Sequence, residues 1–182
     1  MNPAISLGMI IKKEGEHLEL LLGLCYILVE FIGGILGAFL FWLLYKYPFQ
    51  GPTITNSSDA DETIIPAIVG EIFGTFFLTL IYMMQFDAET SLNKDAAALW
   101  SLAIAGGYGV AIAFSPNSMA CLNPAMALGL AITSAMEYDA DYFKYIWIHV
   151  PMPLVGGVLA ALFFRFIIKK LDGEHAEAYG GK

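Results

Sequence analysis

The sequence predicts an all-α protein integral to a membrane, with four spanning helices and two short re-entrant helices related by an inverted repeat. Three observations lead there. The 182 residues are 58% hydrophobic and 14% charged, with a mean hydropathy of +0.66, whereas a soluble domain is about half apolar and about a quarter charged. Four apolar runs are long enough to cross roughly 30 Å of hydrocarbon as helices. A seven-residue block at Asn2 recurs at Asn123. The net charge of −8 argues against nucleic acid as a partner, because phosphate binding needs clustered Lys and Arg. Aromatics at 14% and only two cysteines set aside disordered and disulfide-framework classes.

Taken in chain order, residues 1–11 are apolar but too short to cross, so they read as re-entrant or interfacial. Asn2 and Pro3 follow Met1 directly, in place of a basic segment and apolar run, so no cleavable signal peptide is expected. The spans are residues 18–47 with Glu30, 64–86 with Glu71, 96–114 without charge, and 142–171 with His149, Pro151 and Pro153. None alternates with period two, and each exceeds the length of a barrel strand. Residues 123–135 form the second short segment, and residues 48–62 and 87–95 are polar loops. If the segment before the first span lies inside, Lys12, Lys13, Lys94, Arg165, Lys169, Lys170 and Lys182 are inside and only Lys46 and Lys144 outside, as the positive-inside rule expects. The chain reads as one membrane domain: 1–47 the remnant of a first repeat, 64–171 the second, 172–182 a polar tail.

The repeat aligns Asn2-Pro3-Ala4-Ile5-Ser6-Leu7-Gly8 with Asn123-Pro124-Ala125-Met126-Ala127-Leu128-Gly129, 121 residues on, and Gly33-Gly34 with Gly156-Gly157, 123 residues on. Three predicted spans separate the two blocks, and an odd number of crossings inverts the second copy. Inverted repeats are a recurring transporter architecture with the solute site at the repeat interface. Asn suits an N-cap and Pro the first helical position. Two such helices entering from opposite faces bring their positive dipole ends together, which disfavours cations and protons at that point while Asn amides bond a neutral solute.

With these motifs the chain resembles the aquaporin (major intrinsic protein) family. Glu71-Ile72-Phe73-Gly74-Thr75 is similar to its fourth-span signature, Tyr26 to Gly34 to its third span with Glu30 in place of the usual Gln, and Pro153 with Gly156-Gly157 to its sixth. The resemblance implies six spans plus two half-helices, tetramers, and passage of water or small polyols. It places Asn2, Pro3, Ala4, Asn123, Pro124 and Ala125 at the pore, and Glu30, Glu71 and Thr75 as intramembrane braces. It also implies departures. The two spans that precede the first motif in the family are absent from this sequence, so the chain reads as an N-terminally truncated, degenerate member. The filter Arg that follows the second motif is Met126, where packing against neighbours is expected, and the filter His twelve residues before that motif falls on Ala111. Asn2 at the bilayer midplane would also put the Met1 amine there, at a cost of at least ~3 kcal/mol. Acylation, pairing with Glu30 or Glu71, or a displaced half-helix would relieve it.

No nucleophile–base arrangement, phosphate loop, metal spacing or cofactor fingerprint is present, so neither an enzyme nor a cofactor is expected. Gly33/Gly37 and Gly70/Gly74 allow close helix approach, and Asn56-Ser57-Ser58 fits a glycosylation acceptor. Beyond the lipid bilayer, the missing spans and altered filter favour a structural subunit of a hetero-oligomeric membrane complex, with a mitochondrial inner-membrane assembly as one host. The alternative is a passive channel for water or small neutral solutes such as glycerol, completed by another chain, in a plasma or vacuolar membrane.

Overall fold

The computed structural model describes residues 2–12, 17–47, 50–54, 60–87, 90–91 and 97–171, and among these every regular element is helical. The elements are α1 Pro3–Lys12, α2 His17–Tyr45, α3 Ala60–Gln85, α4 Ala97–Phe114, α5 Pro124–Glu137, α6 Ile146–His149 and α7 Pro151–Phe163. Single 3₁₀ turns at Pro116–Ser118 and Ala140–Phe143 and a π-turn at Phe164–Ile168 complete the chain. Leu20–Tyr45, Thr63–Gln85 and Ala140–Leu171 are each long and apolar enough to cross a membrane. At 18 residues, α4 reaches about 27 Å. By contrast α1, with 10 residues, extends about 15 Å, half the hydrocarbon depth.

The fourth predicted span is helical throughout most of its length but not continuous. Pro151 and Pro153 carry no N–H, so the carbonyls one turn earlier lose their amide partners. The helix stops at His149 and restarts at Pro151. Past Phe163 the π-turn carries Phe164 into the core formed by Leu80, Met83, Ala160 and Ala161. The predicted loop 48–62 also differs from expectation. Gly51, Pro52 and Ile54 are buried, the Gly51 N–H donates to Ser134 Oγ at 2.9 Å, and Ile54 packs on Ala67 and Ile148. An apolar tripeptide-sized patch inside a polar loop escapes any periodicity argument.

The two short helices point opposite ways. Lys12, the end of α1, donates from Nζ to the Met83 carbonyl at 3.0 Å, near the last turn of α3. Glu137, the end of α5, accepts from Trp42 Nε1 at 3.0 Å, near the last turn of α2. Since α2 runs away from the end of α1 and α3 runs back, these lie on opposite sides of the bilayer. Glycine packing is reciprocal about the junction. A Cβ on Gly157 of α7 would strike the Ala4 carbonyl of α1, and one on Gly34 of α2 would strike the Ala125 carbonyl of α5. Gly8 faces Gly157, as Gly129 faces Gly34. The repeat seen in the sequence is thus a repeat of helix–helix seams, each allowing close backbone approach.

The rest of the surface is hydrocarbon-compatible. Leu21, Leu28, Leu36 and Leu44 along α2 are 61–68% exposed, which in a bilayer carries no penalty because lipid tails are as apolar as leucine.

Candidate functional site

The site is the point where α1 and α5 begin. Asn123, in extended conformation, caps α5: its Oδ1 accepts from the Ala125 N–H at 3.1 Å and the Met126 N–H at 3.4 Å. Asn2 caps α1 in the same way, accepting from the Ala4 N–H at 3.0 Å. Its Nδ2 then crosses the junction and donates to the Leu122 carbonyl at 2.8 Å. Pro3, Ala4, Pro124 and Ala125 are buried around this contact, while Asn123 keeps partial exposure. Two helix N-termini, each equivalent to roughly half a positive charge, therefore meet head to head with one amide bridging them. Asn123→Ala is expected to cost about 1 kcal/mol through the lost cap. Asn2→Ala should cost about twice that, because it also leaves the buried Leu122 carbonyl unpaired; thermal midpoints of the two variants check the order.

The strand of chain leading into α5 is held by Glu71 of α3, which is fully buried. Its Oε1 accepts from Ser118 Oγ at 2.6 Å and the Cys121 N–H at 3.0 Å, and its Oε2 from the Leu122 N–H at 2.9 Å. These bonds matter because Met119, Ala120 and Leu122 take positive φ of 57°, 49° and 51°, a left-handed conformation that costs non-glycine residues of order 1–3 kcal/mol each. Gly70 and Gly74 let this segment approach α3, with Gly74 opposite Leu122 and the Ala111 carbonyl. Glu30 of α2 is buried and its Oε1 accepts from Ser6 Oγ of α1 at 2.8 Å. Thr75, one turn beyond Glu71, is fully buried against Gly156.

Two filter expectations change. Ala111 is fully buried against Leu78 and Leu122, in the seam between α3 and α4. Met126 is 38% exposed and so is not packed away: the first turn of α5 stands open on the side where no helix covers it. Ser6 and Ser118, the hydroxyl partners of the two acids, were not singled out from the sequence. A serine one turn after Asn2, and the Ser115-Pro116-Asn117-Ser118 turn before Asn123, are the signals that could have found them.

At the inner end Lys12 and Lys169 converge on Asp87, at 3.5 and 3.0 Å, and Lys12 lies 4.5 Å over the Phe164 ring. Burial lowers the Lys12 ammonium below its ordinary value and Asp87 opposes that shift. Both lysines belong to the predicted inner set. No group of three or more His, Cys, Asp or Glu that could hold a metal occurs among the described residues. The Met1 amine, the Asn56 acceptor and the 172–182 tail lie outside the described residues.

The model of the family described as Major intrinsic protein matches residues 1–164. Among curated proteins, aquaporin-5 of Ovis aries is 28% identical over 169 residues, covering 92% of this chain and 60% of its own length. The probable aquaporin TIP2-2 of Oryza sativa subsp. japonica is 30% identical over 178 residues, covering 97% and 64% respectively. Among solved structures, the aquaglyceroporin of Plasmodium falciparum superposes with a TM-score of 0.66 at 22% identity, over 95% of this chain and 74% of that one. The chain spans less than two thirds of the length of these curated relatives.

Proposed function

Because the chain belongs to the family of major intrinsic proteins, we propose that it is an integral membrane protein forming the motif-bearing wall of a passive pore for water or a small neutral solute such as glycerol. The observation that carries this is the intact junction, in which both Asn caps are made and Asn2 Nδ2 bridges to the Leu122 carbonyl. Two converging positive helix ends disfavour a cation or hydronium, while a neutral hydroxyl or water exchanges hydrogen bonds there at little cost. In this reading Asn2 and Asn123 mark the passage, Pro3, Ala4, Pro124 and Ala125 pack behind them as the two helix starts, and Glu30, Glu71 and Thr75 hold its walls. Met126 at the open first turn of α5 offers a flexible thioether in place of a guanidinium, which removes donors and a cation barrier together and favours a polyol over strict water selectivity.

Closure needs more helix surface. Gly33 and Gly37 of α2 and Gly106 and Gly109 of α4 face open space, and Ala105 and Ala113 flank the latter, exposed. Two further helices packed on these small-residue stripes complete the wall, supplied by a longer form of this chain or by another one.

Reconstitution in liposomes together with the longer form or partner chain that supplies these two helices tests the reading. Osmotic shrinkage several-fold faster than in empty vesicles is expected, with glycerol entry above background. Rates equal to empty vesicles at high protein density sink it. The second reading, a structural subunit of a larger membrane complex, is favoured by Met126, which leaves no donor where the family's filter Arg stands. Stable co-purification with other subunits, from plasma, vacuolar or mitochondrial inner membrane, supports that reading when flux is absent.

A further inference from the structure

An ionisable pair lies buried beside the junction, and the pore reading uses only one member of it, Glu71. His149, the last residue of α6, is fully buried, and neither ring nitrogen has a hydrogen-bond partner. Its Nδ1 sits 3.7 Å from Glu71 Oε1, too far for a hydrogen bond and close enough for an ion pair. Neutral imidazole carries one N–H donor and imidazolium two, so a proton on His149 aims a charged donor at Oε1. That oxygen already accepts from Ser118 Oγ and the Cys121 N–H, which accounts for both of its lone pairs. A third donor must displace one of them.

The surroundings leave Glu71 as the counter-charge. Of the elements packed against α6, α7 carries no titratable side chain. The acid of α5, Glu137, is exposed and bonded to Trp42. On α3, Tyr82 lies three turns past Glu71, and Thr75, one turn past it, adds an uncharged buried hydroxyl without a partner. On the segment that leads into α6, Lys144 is exposed over the Tyr145 ring, and Tyr145 packs on Ile54, Ala67 and Ile148. Cys121 Sγ turns to the Asn123 carbonyl.

We propose that His149 is a proton-binding site whose occupation draws Glu71 Oε1 away from Ser118 and Cys121 and so loosens the segment leading into α5. The released segment holds left-handed Met119, Ala120 and Leu122, and Leu122 presents the carbonyl that Asn2 Nδ2 bridges to. The proton is thereby coupled to the junction. Only the flux consequence rests on the pore reading.

The test uses the chain in lipid nanodiscs with ¹⁵N-labelled imidazole and amides, followed from about pH 8 to about pH 5. Where the imidazole signal shows His149 doubly protonated, the amide protection factor at Cys121 is expected to fall about tenfold relative to Ala131. In His149→Phe the Cys121 protection stays at its high-pH level throughout. A His149 that stays neutral, protection unchanged while it is charged, or an equal loss in His149→Phe each overturns the proposal. The wild-type titration needs no variant, and His149→Gln replaces Phe if the latter fails to fold. Liposome flux run in parallel separates the two ideas. Protection loss without flux at any pH retires the pore and keeps the proton site; flux with pH-indifferent protection does the reverse.

Discussion

Glu71→Ala is expected to destabilise the protein by roughly 2–6 kcal/mol, since it strips the acceptors from two buried backbone N–H groups, each costing about 1–3 kcal/mol when left unpaired, while the Ser118 hydroxyl keeps the Ser115 carbonyl at 3.2 Å. All three donors, on Ser118, Cys121 and Leu122, belong to one short segment, so the loss falls on the entry to α5. Glu71→Gln should cost about half as much. Its single carbonyl keeps one side of the bonding pattern, while its NH₂ group confronts a donor on the other. Denaturant unfolding in micelles, followed by tryptophan fluorescence, reads both. A Glu71→Ala protein within about 0.5 kcal/mol of wild type means the carboxylate does not hold the left-handed turn, and a surface-like substitution effect of that size has to be explained some other way.

The second large effect concerns glycines. In Gly34→Ala and Gly157→Ala the new methyl meets the Ala125 and Ala4 carbonyls, with backbone rather than a yielding side chain in the way. Each helix pair has to separate, and overpacking of this kind costs about 1–3 kcal/mol. Gly33→Ala and Gly37→Ala sit one or three residues away in the same helix, where nothing lies within 4 Å. They should be neutral or stabilise by about 0.5–1 kcal/mol through the better helix propensity of alanine. The contrast between neighbouring glycines is the informative result: if all four behave alike, the half-helices do not seat on these seams. Liposome flux should follow stability for Gly34 and Gly157.

Much of this architecture was readable in the residues. The spans announce themselves because hydrocarbon tolerates only satisfied backbone, which makes a long apolar run a helix. The half-helices announce themselves through Asn-Pro-Ala, whose cap and fixed φ are local effects. The acid at Glu71 stood out because a carboxylate in an apolar run needs partners. What those partners were did not, since Ser118 and the amides of Cys121 and Leu122 come from a turn 47–51 residues away in sequence. The burial of Ala111 against Leu78 and Leu122 was not readable either, since it depends on contacts made by α3 and by a turn that contains three left-handed residues. The burial of Gly51, Pro52 and Ile54 depends on Ser134 and Ile148, which no local pattern links to them.

The crossed seams bear on how the molecule is made. Gly157, the seat of α1, leaves the ribosome some 150 residues after Ala4, on the order of ten seconds later at ordinary elongation rates. Throughout that wait the first short helix has only α2 and α3 to pack on, and a ten-residue segment cannot stay in hydrocarbon by spanning it. Its interim lodging is the lipid–water boundary, and it sinks to mid-depth only once the last long helix arrives. The seating of α1 on Gly157 is therefore made long after α1 itself.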